Sequence, residues 1–309
     1  MRILFMGSPE LAIPSLKAVR EIGQLVGVVT QPPRASGRGR KLTPSPISRE
    51  AEQWGIEAIT PETLRTPDIE ENVRRLEPDI AVVVAYGKIL PPNMLTVPKL
   101  GCVNIHASIL PELRGAAPIQ WAIARGHNET GVTLMQMDEG MDTGPILLQR
   151  TTAIGAEETA GELGVRLAQI GADLLREGLP RLDRGELRPF DQDNSQTTYA
   201  PLLTKTDGHI DWSFTAVEIA NRIRGFTPWP GTFTTMAGSR LLITRARALG
   251  EENQTPAGTI VSSGTEGIKI ACGSGILNVL AVKPEGKREM SIQEFLAGHK
   301  VQPGEILGE

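Results

Sequence analysis

Ile80-Ala81-Val82-Val83-Val84-Ala85-Tyr86 is the stretch that decides the fold. A continuous β-branched run between Pro78 and Gly87 predicts a strand covered on both faces. Strands of that kind belong to parallel sheets, because their crossover helices pack on both sides. Upstream, Ile3–Met6 predicts a buried strand ending at Gly7, and Pro9–Arg20 a helix. Leu25–Thr30 predicts a strand, Ile47–Trp54 a helix, Glu57–Thr60 a short strand and Ile69–Leu76 a helix. Downstream, Cys102–His106 and Val132–Met137 are strands separated by a helix over Pro118–Arg125. Glu158–Leu179 is an amphipathic helix with Leu163, Leu167, Ile170 and Leu174 on one face. The expectation is an α/β domain over 1–188 with a mostly parallel sheet.

After Leu187 the texture changes. Pro189–Thr198 (PFDQDNSQTT) is polar and nearly free of aliphatics, and 189–207 is expected to be a linker. Beyond it, one helix (Thr215–Arg224) precedes five short strand candidates: Thr232–Met236, Leu241–Ala246, Gly258–Val261, Ile268–Ala271 and Ile276–Ala281. Close spacing and Gly-rich turns predict a small OB-like β-barrel over 208–309.

The 309 residues are 40% hydrophobic and only 4% aromatic, so a core of Leu, Ile, Val and Ala is expected and intrinsic disorder is excluded. A net charge of −4 excludes a protein that coats nucleic acid through bulk charge; any such contact must come from a local basic patch. Cys102 and Cys272 lie far apart and define no disulfide framework. With four histidines and no close Cys/His spacing, no metal site is expected. No apolar run approaches the roughly 18 residues that span a bilayer. The start, MRILFMGSPELA, predicts a strand rather than a signal peptide. A cytoplasmic protein with no membrane partner, and a monomer, are the default expectations.

Chemistry concentrates after the fifth strand. In Asn104-Ile105-His106, alternation puts the amide and the imidazole on one face, near the C-terminal end where open α/β sheets bind ligands. An amide can donate to a developing oxyanion, and an imidazole can move a proton, so the pair suits acyl transfer. Met137-Asp138-Glu139-Gly140-Met141-Asp142-Thr143-Gly144 follows the next strand. One of its acids can orient the histidine, but spacing does not choose among Asp138, Glu139 and Asp142. Asp-Thr-Gly as an aspartic-protease tripeptide is set aside, because that chemistry needs two such carboxylates sharing a proton. Gln31–Ser48 (QPPRASGRGRKLTPSPIS) holds Arg34, Arg38, Arg40 and Lys41 and no acid. Its glycines and prolines argue against regular structure, and its charge predicts a loop that engages a phosphate-rich partner. Gly7-Ser8-Pro9 lacks the dinucleotide fingerprint, and the sequence holds no phosphate-cradling P-loop. Cys102 is expected to be buried rather than nucleophilic, and His127, His209 and His299 to be surface residues.

Asn104–Ala122 (NIHASILPELRGAAPIQWA) with Glu129–Leu147 (ETGVTLMQMDEGMDTGPIL) closely resembles the folate-dependent formyltransferases, and the likeness covers essentially the whole chain. Val82–Pro91 resembles their folate-pocket segment, Gln31–Ile47 a tRNA-contacting loop, and Phe226–Phe233 (FTPWPGTF) a C-terminal-domain signature. The resemblance implies a Rossmann-like N-domain, an OB-like C-domain that binds tRNA, and 10-formyltetrahydrofolate as formyl donor without a metal. It implies catalytic roles for Asn104, His106 and Asp142. It implies folate contacts at Ser108, Ile109, Leu110 and Pro111 and at Tyr86, Gly87 and Ile89. The family's Ser-Leu-Leu-Pro is Ser108-Ile109-Leu110-Pro111 here, a conservative change at 109, and Ala107 stands where Gly or Pro is common. Sugar-nucleotide formyltransferases lack a basic loop of this kind, so the resemblance implies methionyl initiator tRNA as acceptor, contacted by Arg34, Arg38, Arg40 and Lys41. The non-enzyme alternative, an RNA-binding module on an inactive transferase fold, is opposed by the intact Asn104/His106/Asp142 set.

Overall fold

The computed structural model describes residues 1–36, 41–251 and 254–308 and divides into two units. The first takes in 1–118, 129–153 and 164–201; the second takes in 119–128, 154–163 and the chain from Leu202 on. The stretch expected as a linker, 189–207, therefore falls on both sides of the division, and through Pro201 it belongs to the first unit.

In chain order come β1 (Arg2–Gly7), α1 (Ile13–Ile22), β2 (Gln24–Val29), β3 (Arg34–Ser36), β4 (Lys41–Thr43), α2 (Pro46–Glu52), β5 (Ala58–Ile59), α3 (Pro67–Arg75) and β6 (Ile80–Val84). They are followed by α4 (Pro92–Leu95), β7 (Cys102–His106), β8 (Arg114–Gly115), α5 (Pro118–Ala124), β9 (Glu129–Gln136), β10 (Ile146–Ala153), α6 (Ala160–Asp183) and β11 (Tyr199–Ala200). Helix α1 starts later than the sequence predicts, after a 3-10 turn at Glu10–Ala12, with Pro14 in its first turn where the missing N–H costs nothing. Ser45 caps α2, its hydroxyl accepting from the Ser48 N–H at 2.9 Å.

Seven strands form one sheet in the order β10-β9-β7-β6-β1-β2-β5. β1 pairs in parallel with β2 and with β6, and β6 with β7, setting Val83 opposite Asn104. Ile80 and Val82 are fully buried, as the uninterrupted apolar run requires. The expected strand Val132–Met137 is present as β9, but it departs from the parallel reading in direction: β9 runs antiparallel to β7, with His106 opposite Thr133. A run buried on both faces, such as Val132 and Leu134, carries no mark of direction, which only the intervening connection sets. β10 was not expected, because its second half (QRTTA) is polar and lies on an exposed edge. Gly171 and Gly178 let α6 approach that sheet closely: an added Cβ would lie 2.7 Å from Ile105 Cγ2 and 2.5 Å from Leu134 Cδ2. The basic segment is also corrected. β3 and β4 form an antiparallel ladder, Arg34 opposite Thr43 and Ser36 opposite Lys41.

The second unit continues with α7 (Ala216–Gly225), β12 (Thr232–Met236), β13 (Ser239–Leu249), β14 (Ile260–Gly264), β15 (Gly267–Ala271), β16 (Ile276–Pro284), β17 (Met290–Ser291) and α8 (Ile292–Gly298). Its antiparallel sheet runs β12-β13-β16-β15-β14, with β17 on β16. Thr215–Glu218 and Ser291–Glu294 are capping boxes that start α7 and α8. Ile219 and Ile223 of α7 share a core with Ile243, Leu277, Val279 and Phe295. Each such side chain contributes roughly 1.5–3 kcal/mol on burial. No described helix is long and apolar enough to cross a membrane.

Candidate active site

β7 ends at His106, beside the end of β6, at the sheet edge where α/β folds place their ligands. Strand alternation puts Asn104 and His106 on one face. Asn104 is half-buried, and its side-chain amide has no hydrogen-bond partner among the described residues. His106 is buried, 5% exposed.

Two protein groups fix the imidazole. His106 Nε2 lies 3.0 Å from the Leu113 carbonyl oxygen. A carbonyl only accepts, so these partners assign the hydrogen to Nε2. Nδ1 faces Asp142 Oδ2 at 3.6 Å, beyond a direct hydrogen bond but within ion-pair range. Nδ1 is therefore the ring nitrogen that faces the Asp142 carboxylate.

The structure separates the three acids that spacing left open. Asp138 is exposed and spends Oδ1 on its own turn, accepting from the Gly140 N–H at 3.0 Å and the Thr143 hydroxyl at 2.7 Å. Glu139 is exposed. Asp142 alone faces the histidine, with 17% of its side chain exposed. Its Oδ2 also accepts the Gly115 N–H at 2.8 Å, and its backbone sits at φ +56°, a left-handed conformation rare outside glycine. Gly144 lets the turn close, since a Cβ there would meet the Gln136 carbonyl oxygen at 2.0 Å.

The segment Ser108–Pro111 lies directly after β7. Ser108 and Leu110 are buried, Ser108 donating its hydroxyl to the Glu112 carbonyl at 2.6 Å, so a ligand there meets Ile109 and Pro111, which are half-buried. Thr133, fully buried on β9, pins this segment: its hydroxyl donates to the Ser108 carbonyl at 2.7 Å and accepts the Leu110 N–H at 3.1 Å. Gln149 of β10 donates to the Leu110 carbonyl at 2.8 Å. Sequence reading missed Thr133 and Gln149, and it missed the Leu113 carbonyl and Gly115 N–H, which leave no side-chain signature. After β6, the Tyr86 ring is buried, and burial pushes its hydroxyl up to about 12. Gly87 and Ile89 are the exposed members of that trio, Ile89 at 84%.

Arg34 and Lys41 are exposed on β3 and β4, while Arg38 and Arg40 lie outside the described residues. The ladder is tied at its base: Arg34 donates to Gln31 Oε1, and Gln31 Nε2 donates to the Tyr86 carbonyl at 2.7 Å.

Cys102 is 1% exposed, and burial pushes its thiol up to about 12; the buried Cys272 reaches about 11. The thiolate is the nucleophile, so both sites are inert near neutral pH. A colorimetric disulfide reagent at pH 7.5 is expected to modify neither thiol in the folded protein and both after denaturation. Rapid modification of a folded thiol contradicts this burial.

The formyl transferase family matches residues 1–179, and the formyl transferase C-terminal domain matches residues 202–300. The chain is 49% identical over 303 residues to a methionyl-tRNA formyltransferase of Myxococcus xanthus, covering 98% of this chain and 96% of that protein. It is 48% identical over 310 residues to the methionyl-tRNA formyltransferase of Citrifermentans bemidjiense, covering 100% and 97% respectively. Among solved structures, an N-formyltransferase of Helicobacter canadensis in complex with folinic acid and dTDP-3-aminofucose superposes with a TM-score of 0.67. It is 21% identical, covering 90% of this chain and 98% of that one, a likeness of fold.

Proposed function

Because the chain belongs to the formyl transferase family, we propose that it transfers the formyl group of 10-formyltetrahydrofolate to the α-amine of methionyl initiator tRNA. The near-full-length likeness to methionyl-tRNA formyltransferases supports this acceptor. The observation that carries the chemistry is the His106 ring held between the Leu113 carbonyl and Asp142, on the same strand face as Asn104, whose side-chain amide has no hydrogen-bond partner among the described residues.

The folate supplies an activated formyl group, and the exposed Gly87 and Ile89 with the half-buried Ile109 and Pro111 offer it a surface. The methionyl amine attacks the formyl carbon, and the carbonyl oxygen gathers negative charge. Asn104 donates its amide N–H to that oxygen, and the charged His106 stabilises it electrostatically. As the carbon–nitrogen bond to the folate breaks, the charged His106 gives its Nδ1 proton to the departing folate nitrogen, and the neutral ring then takes up the proton that the attacking nitrogen loses. Asp142 balances the imidazolium before and after that transfer. In this account the N-terminal part is the catalytic domain and the C-terminal part helps hold the tRNA. One chain supplies every group named, so a monomer suffices, and the reaction belongs in the cytoplasm, where charged tRNA and folate meet.

Arg34, Arg38, Arg40 and Lys41 are the acceptor's phosphate contacts in this reading. Replacing Arg38, Arg40 and Lys41 by Ala is expected to weaken methionyl-tRNA engagement and leave folate affinity unchanged. Its log–log salt dependence should flatten by up to about 0.9 per lost phosphate contact. Formylation of methionyl-tRNA across a salt series, with folate titrated separately, measures both. An unchanged slope with normal tRNA affinity overturns the role of this segment.

A further inference from the structure

The polar run 189–198 puts one side chain behind the catalytic pair. Phe190 bridges to Ile146, its N–H donating to the Ile146 carbonyl at 3.0 Å and its carbonyl accepting the Ile146 N–H at 2.8 Å. This carries Gln192 inward to 8% exposure. Its amide nitrogen donates to the Asp142 carbonyl at 2.8 Å and to the Gly144 carbonyl at 2.8 Å. Its amide oxygen accepts from Arg114 Nε at 3.1 Å and Nη2 at 2.6 Å. Arg114 is itself buried, 3% exposed, and reaches on to Asn194 Oδ1 at 2.8 Å. Both hydrogens and both lone pairs of the Gln192 amide are thus used, an arrangement that fixes a side chain in one orientation.

We infer that Gln192, backed by Arg114, is a positioning residue for the Asp142–His106 pair. It touches no reacting atom. It joins the two loops that grip that pair. Residues 113–115 hold the His106 Nε2 edge through the Leu113 carbonyl and hold Asp142 through the Gly115 N–H. Residues 142–144 carry the carboxylate itself, on a backbone whose left-handed φ at Asp142 persists only where its surroundings impose it. Gln192 grips the carbonyls on both sides of Thr143, and Arg114 ties that grip to the other loop. The adjoining strand closes the same clamp: Tyr199 pairs with Arg114, and the Thr198 hydroxyl accepts the Leu113 N–H at 2.9 Å. The polarity of this run, which marks it as a linker by composition, serves backbone carbonyls that would otherwise be buried without donors.

This inference rests on the formyl-transfer reading, and the test keeps the two apart. Single-turnover transfer is measured for the full chain, for Gln192→Glu, for Gln192→Met, for Asp142→Asn, and for each Gln192 variant combined with Asp142→Asn. Gln192→Glu keeps a partner for Arg114 and loses the two N–H donors; Gln192→Met keeps the length and loses both. A misplaced catalytic group costs on the order of 10- to 100-fold. We expect a loss of that size in rate for both single variants, with the folate KM unchanged. In the Asp142→Asn background, each Gln192 change should cost less than about twofold more, because a residue that acts through Asp142 has nothing left to position. Should Gln192→Met fail to fold, Gln192→Glu decides alone. Parent-like turnover of Gln192→Glu, or losses that multiply fully in the double variants, overturns the inference. An inactive parent chain instead overturns the formyl-transfer reading.

Discussion

Asn104→Ala and His106→Ala are each expected to slow single-turnover formyl transfer by roughly 10²–10³-fold at saturating folate, about 2.7–4 kcal/mol of transition-state stabilisation. The two side chains share one face of β7 and, in the proposed mechanism, act on charge that develops only during reaction. Folate affinity is therefore expected to change little. The asymmetry in their surroundings adds a second expectation. Asn104 has no side-chain partner among the described residues, so its removal leaves no buried group orphaned and should barely move the thermal midpoint. Removal of His106 takes away the imidazole partner of the Leu113 carbonyl, so it should also cost stability. Rapid-quench transfer and thermal unfolding of both variants provide the readings. A loss under tenfold in both places the chemistry elsewhere.

Asp142→Asn is expected to cost on the order of 10²-fold or more in the same assay, since the proposed mechanism has Asp142 balance the charge of His106 and a neutral amide cannot. The substitution nearly preserves shape, and an amide oxygen can still accept the Gly115 N–H that Asp142 Oδ2 accepts at 2.8 Å. Asp138→Asn and Glu139→Gln serve as internal controls. Asp138 caps its own turn and Glu139 is exposed, so both should turn over within about twofold of the parent, in line with most surface changes staying within ±0.5 kcal/mol. Equal losses across the three acids contradict the separation drawn here.

Much of this was legible in the residues because their patterns are periodic. Ile80–Val84 could only be a strand covered on both faces, and two-residue alternation alone put Asn104 and His106 side by side. What stayed hidden has physical reasons. The antiparallel direction of β9 leaves no trace in a run buried on both faces. Alternation also fails after β6, where Ala85 at φ +45° and Gly87 at φ +80° break the extended geometry. The chain there turns the Tyr86 ring into the core and leaves Ile89 in solvent, a split that the segment's likeness to a folate pocket did not convey. Backbone groups are invisible to residue patterns, so the Leu113 carbonyl and Gly115 N–H emerged only with the fold. Gln192 was masked by composition: a glutamine among Asp, Asn and Ser reads as solvated until Phe190 is seen to anchor it.

The most direct test of the central claim offers two acceptors at once. The full chain is given 10-formyltetrahydrofolate labelled in its formyl group, with equal methionyl initiator tRNA and an amino-sugar nucleotide, in a single turnover. The account predicts that the label appears as formyl-methionyl-tRNA, at a rate that collapses in His106→Ala. Label on the sugar, or label on the tRNA at an undiminished rate in His106→Ala, would contradict it.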